Sequence, residues 1–470
     1  MADFTLGKIF PLLMGQSNLW QSIAVEPAAD AIEVDDSLVL GSVLLSLVAI
    51  YFAAKLGSEI CARINLPPVL GELVGGVLVG VSALRLLVFP ESGSDGTDSL
   101  IMQFLERTGG LSEAQVPLLF QTQSEVIAVL AELGVIVLLF EIGLESDLKQ
   151  LMSVGTQAIV VACVGVVVPF AAGTAGLMFF FGIPAVPAIF AGAALTATSI
   201  GITSRVLSEM GRLTSKEGQI ILGAAVIDDV LGIIVLAVVA SLAKTGEVDV
   251  TNVIVLIVSA TAFLLGAILL GRIFNEAFIT VVSWLKTRGG IIIPAFIFAF
   301  VMAYLGAALH LEAILGAFAA GLVLDETDER NELQKLVIPI ADLFVPIFFV
   351  TVGARTDVSV LNPFIPANQE GLIMSIFLVA VAILGKVVTG ASVFGQGSLN
   401  RLAIGVGMIP RGEVGLVFLG VGAASGVLSA PLKAAIVVMV ILTTFLAPVL
   451  LRVVFQSPVE AQAEAQQVDS

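Results

Sequence analysis

Residues 216–244 read KEGQIILGAAVIDDVLGIIVLAVVASLAK. From Ile220 to Ala243 the ionisable side chains are Asp228 and Asp229, and Lys216 and Lys244 bracket the run. At about 1.5 Å of helix rise per residue, Asp228 lies roughly 18 Å from Lys216, comparable to half of a hydrocarbon layer about 30 Å thick. Two carboxylates therefore fall near the middle of a bilayer. Each costs roughly 2.5 to 3.5 kcal/mol there on insertion scales, so the pair persists only where another interaction offsets the cost, and an ion or proton site is the default reading.

The rest of the chain has the same character. Its 470 residues are 58% hydrophobic and 13% charged, with a mean hydropathy of +1.08, whereas soluble domains carry about 25% charged residues. Apolar runs of roughly 18 to 25 residues recur between Leu38 and Val454, about thirteen in all, starting near residues 38, 67, 123, 152, 184, 218, 251, 290, 310, 336, 370, 400 and 430. These predict an all-α polytopic membrane protein with about thirteen transmembrane helices. A net charge of -17 leaves no basic surface for nucleic acid. The acidity concentrates in Glu26 to Asp36, Glu91 to Asp98, Asp325 to Glu332 and Glu460 to Asp469, where solvated loop charge accounts for it. Cys61 and Cys163 fall in different spans and give no disulfide, and His310 is the single histidine, so no transition-metal site or cofactor is expected.

Residues 1–37 hold a short apolar stretch, Ile9 to Met14, interrupted by Pro11, which reads better as a retained interfacial segment than as a signal peptide. An odd number of spans puts the termini on opposite sides. With the N-terminus outside, Lys55, Arg63, Lys149, Arg205, Arg212, Lys216, Arg272, Lys286, Arg288, Arg330, Lys335, Arg401 and Arg452 fall on the cytoplasmic side, against Lys8, Arg85, Arg107, Lys244, Arg355 and Lys433 outside. The excess of basic residues on the first side selects that orientation, with a cytoplasmic C-terminus.

Spans seven helices apart resemble one another. Val69-Leu70-Gly71 followed by Gly76 matches Ile314-Leu315-Gly316 followed by Gly321. Leu133, Val135, Gly143 and Asp147 match Leu343, Val345, Gly353 and Asp357, and Gly201 aligns with Gly415. Because seven is odd, equivalent helices run in opposite directions, which is the inverted repeat of secondary transporters.

Each repeat also contains one span whose residues disfavour a continuous helix. In the fifth it is Thr196-Ala197-Thr198-Ser199-Ile200-Gly201-Ile202-Thr203, and in the twelfth Gly407-Met408-Ile409-Pro410-Arg411-Gly412-Glu413-Val414-Gly415. Pro410 removes a backbone donor, and the surrounding glycines permit unwinding. Unwound carbonyls together with the hydroxyls of Thr196, Thr198 and Ser199 offer oxygen ligands for a hard cation; the alternative is that each hydroxyl bonds back to its own helix. Asp228 and Asp229 point about 100° apart and cannot form one bidentate clamp. Lys386, in the apolar eleventh span, is the natural partner for one of them, which leaves the other for a proton or a monovalent cation. Arg411 and Glu413 read as polar support beside this site, or as a gate.

Five motifs in this order resemble the second branch of the monovalent cation/proton antiporter superfamily, across nearly all of residues 38–454. They are Leu66-Pro67-Pro68-Val69-Leu70-Gly71-Glu72, Phe140-Glu141-Ile142-Gly143-Leu144-Glu145, the Thr196 to Ser199 run, Ile227-Asp228-Asp229-Val230, and Pro410-Arg411-Gly412-Glu413-Val414-Gly415. The resemblance implies two crossing broken helices and a homodimer. It implies dimerisation-domain segments at 38–149 and 290–366, core segments at 150–246 and 367–455, a linker at 247–289 and a short cytoplasmic tail at 456–470. It also implies that Asp229 binds the ion while Asp228 pairs with Lys386, in electrogenic exchange of Na+ or Li+ for protons in a bacterial inner membrane or an internal energised membrane such as a thylakoid. Potassium exchange by the same mechanism is the alternative. An intramembrane aspartyl protease is disfavoured because neighbouring helical positions diverge and cannot share a proton, and a channel because no selectivity-filter sequence is present.

Overall fold

The computed structural model describes residues 35–90, 93–245, 249–285, 287, 289–327, 329–393 and 399–455. The expected interfacial segment 1–37, apart from its last three residues, and the tail 456–470 lie outside them. The described residues are helical, with no strand among them.

The first half contains α1 (Asp36–Arg63), α2 (Pro68–Val79), α3 (Leu100–Gly109), α4 (Val116–Glu145), α5 (Leu148–Ser153), α6 (Gly155–Phe181), α7 (Ala185–Ala194), α8 (Ile200–Glu209), α9 (Lys216–Thr245) and α10 (Val250–Trp284). The second half contains α11 (Ile292–Ala308), α12 (Ala313–Asp325), α13 (Arg330–Ala354), α14 (Pro366–Val387), α15 (Arg401–Gly407), α16 (Glu413–Ala424) and α17 (Ala430–Phe455). Every expected span coincides with one helix or, in the fifth and twelfth, with a pair of half-helices. The sequence reading did not anticipate α3, a short helix whose buried side is Ile101, Met102 and Leu105. It also started the third span late, because Gln121, Thr122, Gln123 and Glu125 mask the beginning of α4.

Two groups of helices form. In the first, α1, α2, α4 and α13 share a core of Ile50, Ala53, Val79, Ile127, Ile347 and Val350, with α12 packed against α4 and α11 against α12. In the second, α6, α7, α9, α14, α16 and α17 close around Leu177, Ala191, Val239, Leu378, Phe418 and Met439.

The inverted repeat is visible in how the helices touch. A Cβ on Gly76 would stand 2.9 Å from the Cα of Gly353, and one on Gly143 would stand 2.9 Å from the Cα of Gly321. Gly76 and Gly321 are repeat equivalents, as are Gly143 and Gly353, so α2 crosses α13 as α12 crosses α4. Likewise a Cβ on Gly71 would meet the carbonyl oxygen of Gly57 at 2.1 Å, and one on Gly316 would meet that of Met302 at 2.1 Å. Only a missing side chain lets backbones approach this closely, and without water between helices such packing is a principal source of association.

Candidate functional site

The two broken spans interrupt their helices for the same reason and meet at the breaks. Helix α7 ends at Ala194, residues 195–199 run without helical continuity, and α8 starts at Ile200. Helix α15 ends at Gly407, and α16 resumes at Glu413. Hydrogen bonds lost by unwinding are replaced across the crossing. The Ser199 N–H donates to the Pro410 carbonyl at 2.9 Å, the Thr198 hydroxyl to the Met408 carbonyl at 3.2 Å, and the Thr203 hydroxyl to the Gly407 carbonyl at 3.1 Å. Gly412 admits this contact, since a Cβ there would lie 2.7 Å from Ser199 Oγ.

Arg411, fully buried, spans both breaks. Its Nη2 donates to the Leu195 carbonyl at 2.6 Å and its Nη1 to the Met408 carbonyl at 3.3 Å. Leu195 and Met408 cap the C-terminal ends of α7 and α15. One guanidinium thus places positive charge on both negative helix ends, bonding the Leu195 carbonyl and sharing that of Met408 with the Thr198 hydroxyl. Its own carbonyl accepts from the Thr444 hydroxyl of α17.

Helix α9 carries the aspartates past this crossing. One turn beyond them, Gly232 faces both breaks: a Cβ there would meet Ala197 at 3.4 Å and Val414 at 3.8 Å. Asp228 is wholly buried and Asp229 is 4% exposed. Lys386 Nζ, also wholly buried, lies 2.9 Å from Asp228 Oδ2. The ammonium rests over Gly165 of α6, where a Cβ would come within 3.1 Å of Nζ. Two acids, one lysine and one arginine give zero net charge when all four are ionised, so one proton or one monovalent cation alters the electrostatics of the cluster by the same amount.

Three polar atoms are left over: Asp228 Oδ1, Ser199 Oγ and Arg411 Nε are buried with no hydrogen-bond partner. A buried acceptor without a partner is costly, and a desolvated cation is one way to satisfy it. The expected hydroxyls behave differently from one another. Thr196 bonds back to the Ala193 carbonyl at 2.7 Å, Thr198 reaches across the crossing, and Ser199 keeps its oxygen uncommitted. The side chain of Glu413 lies outside the described ones. Sequence reasoning missed the contributions of Thr444 and Gly165; a hydroxyl pair at Thr443-Thr444 in an otherwise apolar span was the available signal for the first, and a lone glycine gave none for the second.

A cavity of about 440 Å³ borders this crossing, bounded by Glu132, Thr351, Gly412 and Thr444 among others. A second cavity, of about 210 Å³ between α6, α9 and α12, is lined by apolar side chains and glycine alone. Helix α8 is tied to the first helix group: Ser208 donates to Glu145 at 2.7 Å and Val69 N–H donates to Glu209 at 3.4 Å, a carboxylate held within α8 by Arg205 at 3.0 Å.

Inverted repeats, discontinuous helices that cross at their breaks, and buried acids on the helix beside that crossing define a secondary active transporter. Residues 35–457 match the family described as sodium/hydrogen exchanger, transmembrane, and the chain belongs to that family. Over 448 residues, 95% of this chain and 96% of the relative, it is 61% identical to the high-affinity Na+/H+ antiporter NhaS3 of Synechocystis sp.. It is 33% identical to the Na+/H+-K+ antiporter GerN of Bacillus cereus over 87% of this chain and 95% of that one. The solved structure of the sodium proton antiporter MjNhaP1 from Methanocaldococcus jannaschii has the same fold, with a TM-score of 0.58 and 17% identity over 89% of this chain and 96% of that one.

Proposed function

We propose that the protein exchanges sodium for protons by alternating access, with the Asp229 carboxylate shared between the two ions. The observation that carries this reading is the Lys386–Asp228 ion pair at 2.9 Å. It neutralises one of two adjacent buried acids, and we assign the ions to its buried neighbour, Asp229. Oxygen ligands for a dehydrated sodium ion come from Asp229, the Ser199 and Thr198 hydroxyls and the unwound carbonyls; lithium binds by the same chemistry. Asp228 and Lys386 make the exchange electrogenic, so that the membrane potential, worth about 2.3 kcal/mol per charge per 100 mV, drives extrusion.

The helix group of α6 to α9 and α14 to α17 moves as the core, and α1, α2, α4 and α11 to α13 form a stationary dimerisation domain, with α10 as linker. A row of exposed apolar residues on α1, at Leu40, Leu44, Val48, Phe52, Leu56 and Ile60, supports contact with lipid or with a second copy at that surface. The N-terminus lies outside and the C-terminus in the cytoplasm, in a bacterial inner membrane or an internal energised membrane. Potassium exchange is a second reading, supported by the likeness to a relative named as a Na+/H+-K+ antiporter.

Reconstitution into liposomes with an imposed pH gradient tests the proposal. Added Na+ or Li+ is expected to collapse the gradient, K+ to do so weakly, and Asp229→Asn to abolish the response. A gradient indifferent to every cation, or an Asp229→Asn variant with normal exchange, would overturn it. Exchange that ignores a clamped potential would remove the electrogenic part alone.

A further inference from the structure

Helix α2 starts without a cap of its own. Pro67 stands at its N-cap position and Pro68 opens the first turn, and proline offers no side-chain oxygen to the free N–H groups that follow. Leu70 N–H turns back to the Pro67 carbonyl at 3.0 Å, which leaves the N–H of Val69, the second helical residue. Its acceptor is Glu209 Oε2 at 3.4 Å, from a side chain 140 residues further along the chain. A carboxylate at that position also meets the positive end of the helix dipole, so the cap that α2 lacks is supplied from elsewhere in the fold.

Glu209 belongs to the other helix group. It is the last residue of α8, the half-helix that begins beside Ser199 at the crossing, and ten residues at about 1.5 Å each put the two ends roughly 15 Å apart. Arg205, one turn earlier, holds Glu209 Oε1 at 3.0 Å and leaves Oε2 for α2. Ser208, beside it, donates to Glu145 of α4 at 2.7 Å. One end of α8 is thus fastened to two helices of the first group, while the other carries the uncommitted Ser199 oxygen. No proline interrupts α8, so the helix transmits position from one end to the other.

We propose that Glu209 is a positioning residue for transport: by capping α2 it docks the core helices on the first helix group in the access state described here, and it leaves α2 when the core moves to the other state. The proposal rests on the alternating-access reading above and adds to it the contact that sets the balance between the two states. A contact made in one state only shifts the equilibrium by its own worth, and a capping carboxylate is worth roughly a fivefold shift. Apparent affinity in each state scales with that state's population, so weakening the dock raises the sodium KM on the face to which this state opens and lowers it on the other. A contribution to stability alone leaves the ratio of the two KM values unchanged.

The test is the sodium KM of the full chain in proteoliposomes, read from proton flux with sodium varied on one face at a time. Glu209→Gln is expected to change the ratio of the two KM values roughly fivefold, one rising as the other falls. Pro67→Asp leaves Arg205 and Glu209 intact but gives α2 its own carboxylate for the Val69 N–H, in competition with Glu209. It is expected to move the ratio in the same direction while raising the melting temperature. The double variant is expected to resemble either single one, since both remove the same contact. A ratio unchanged in either variant, opposite shifts in the two, or shifts that add in the double variant would overturn the dock, and Pro67→Asp carries the test alone if Glu209→Gln does not fold. A wild-type protein without sodium-dependent proton flux would instead overturn the exchange reading, so the two failures are distinguishable.

Discussion

Removal of the Lys386 ammonium is the most direct perturbation of this site. Nζ and Asp228 Oδ2 are 2.9 Å apart with both side chains wholly buried. At an effective dielectric near 20, their Coulomb attraction is about 6 kcal/mol, opposed by several kcal/mol of desolvation for each ion. The pair therefore contributes little net stability, whereas breaking it leaves an uncompensated charge. Asp228 Oδ1 already lacks a hydrogen-bond partner, so Lys386→Met strips the carboxylate of its counter-ion at 2.9 Å. That variant is expected to lose about 3–5 kcal/mol, as is Asp228→Asn, which strands the ammonium. The double variant has no charge to strand and is expected to lose only about 1–2 kcal/mol, which against single losses summing to about 6–10 gives a coupling energy of about 5–8 kcal/mol in the double-mutant cycle. Chemical unfolding of the four proteins in mixed micelles, followed by fluorescence, measures it. Single losses that simply add in the double variant, with coupling below about 0.5 kcal/mol, would refute the reasoning and mean that each group is held by other partners.

Three further expectations follow from the same geometry. Ser199→Ala removes an oxygen that makes no protein hydrogen bond, so thermal stability is expected to hold while the sodium KM rises several-fold; a fall in stability with unchanged KM would assign the hydroxyl a structural role. Arg411→Lys retains the charge but cannot reach the carbonyls of Leu195 and Met408 together, so exchange and melting temperature are both expected to fall despite the conserved charge, as measured by flux and thermal unfolding. Gly143→Val forces a side chain against the Phe318 carbonyl, which an ideal Cβ would meet at 2.4 Å; separation of α4 from α12 is expected to cost several times the roughly 1–3 kcal/mol of ordinary overpacking and to show as loss of the monodisperse species in size-exclusion chromatography.

The helical architecture was legible because a bilayer imposes it. Backbone groups in hydrocarbon must be satisfied within the segment, so length and apolarity are enough to mark each span. The breaks were legible for the complementary reason: Pro410 and the neighbouring glycines, and the hydroxyl run from Thr196 to Ser199, are poor material for an uninterrupted helix. The inverted repeat was legible through glycines, because Gly76 and Gly321, like Gly143 and Gly353, sit where two backbones touch and a side chain has no room.

The assignment of partners within the charge cluster was less accessible. Adjacent aspartates on a helix diverge by about 100°, which establishes that they differ without establishing which of them meets Lys386. The helix packing resolves it: Gly165 leaves space for the ammonium, and Asp228 is the acid that reaches it. Arg411 is a similar case. The sequence marks it as an arginine in an apolar span; only the crossing brings the ends of α7 and α15, more than two hundred residues apart in the chain, within reach of one guanidinium. The Glu209 cap on α2 has no local signature in either segment, because it joins residues 140 apart in the chain.

The sequence by itself therefore determined what the bilayer penalises: how many helices span, where they break, and that two acids at mid-depth need compensation. Those are one-body energies, set by each segment against its solvent. Tertiary structure decided the pairwise matters: that Asp228 lies against the lysine, that Arg411 serves both broken helices, and that Ser199 keeps an uncommitted oxygen. Such pairings depend on distances of 3 to 4 Å between segments far apart in the chain, and no pattern within a single span encodes them.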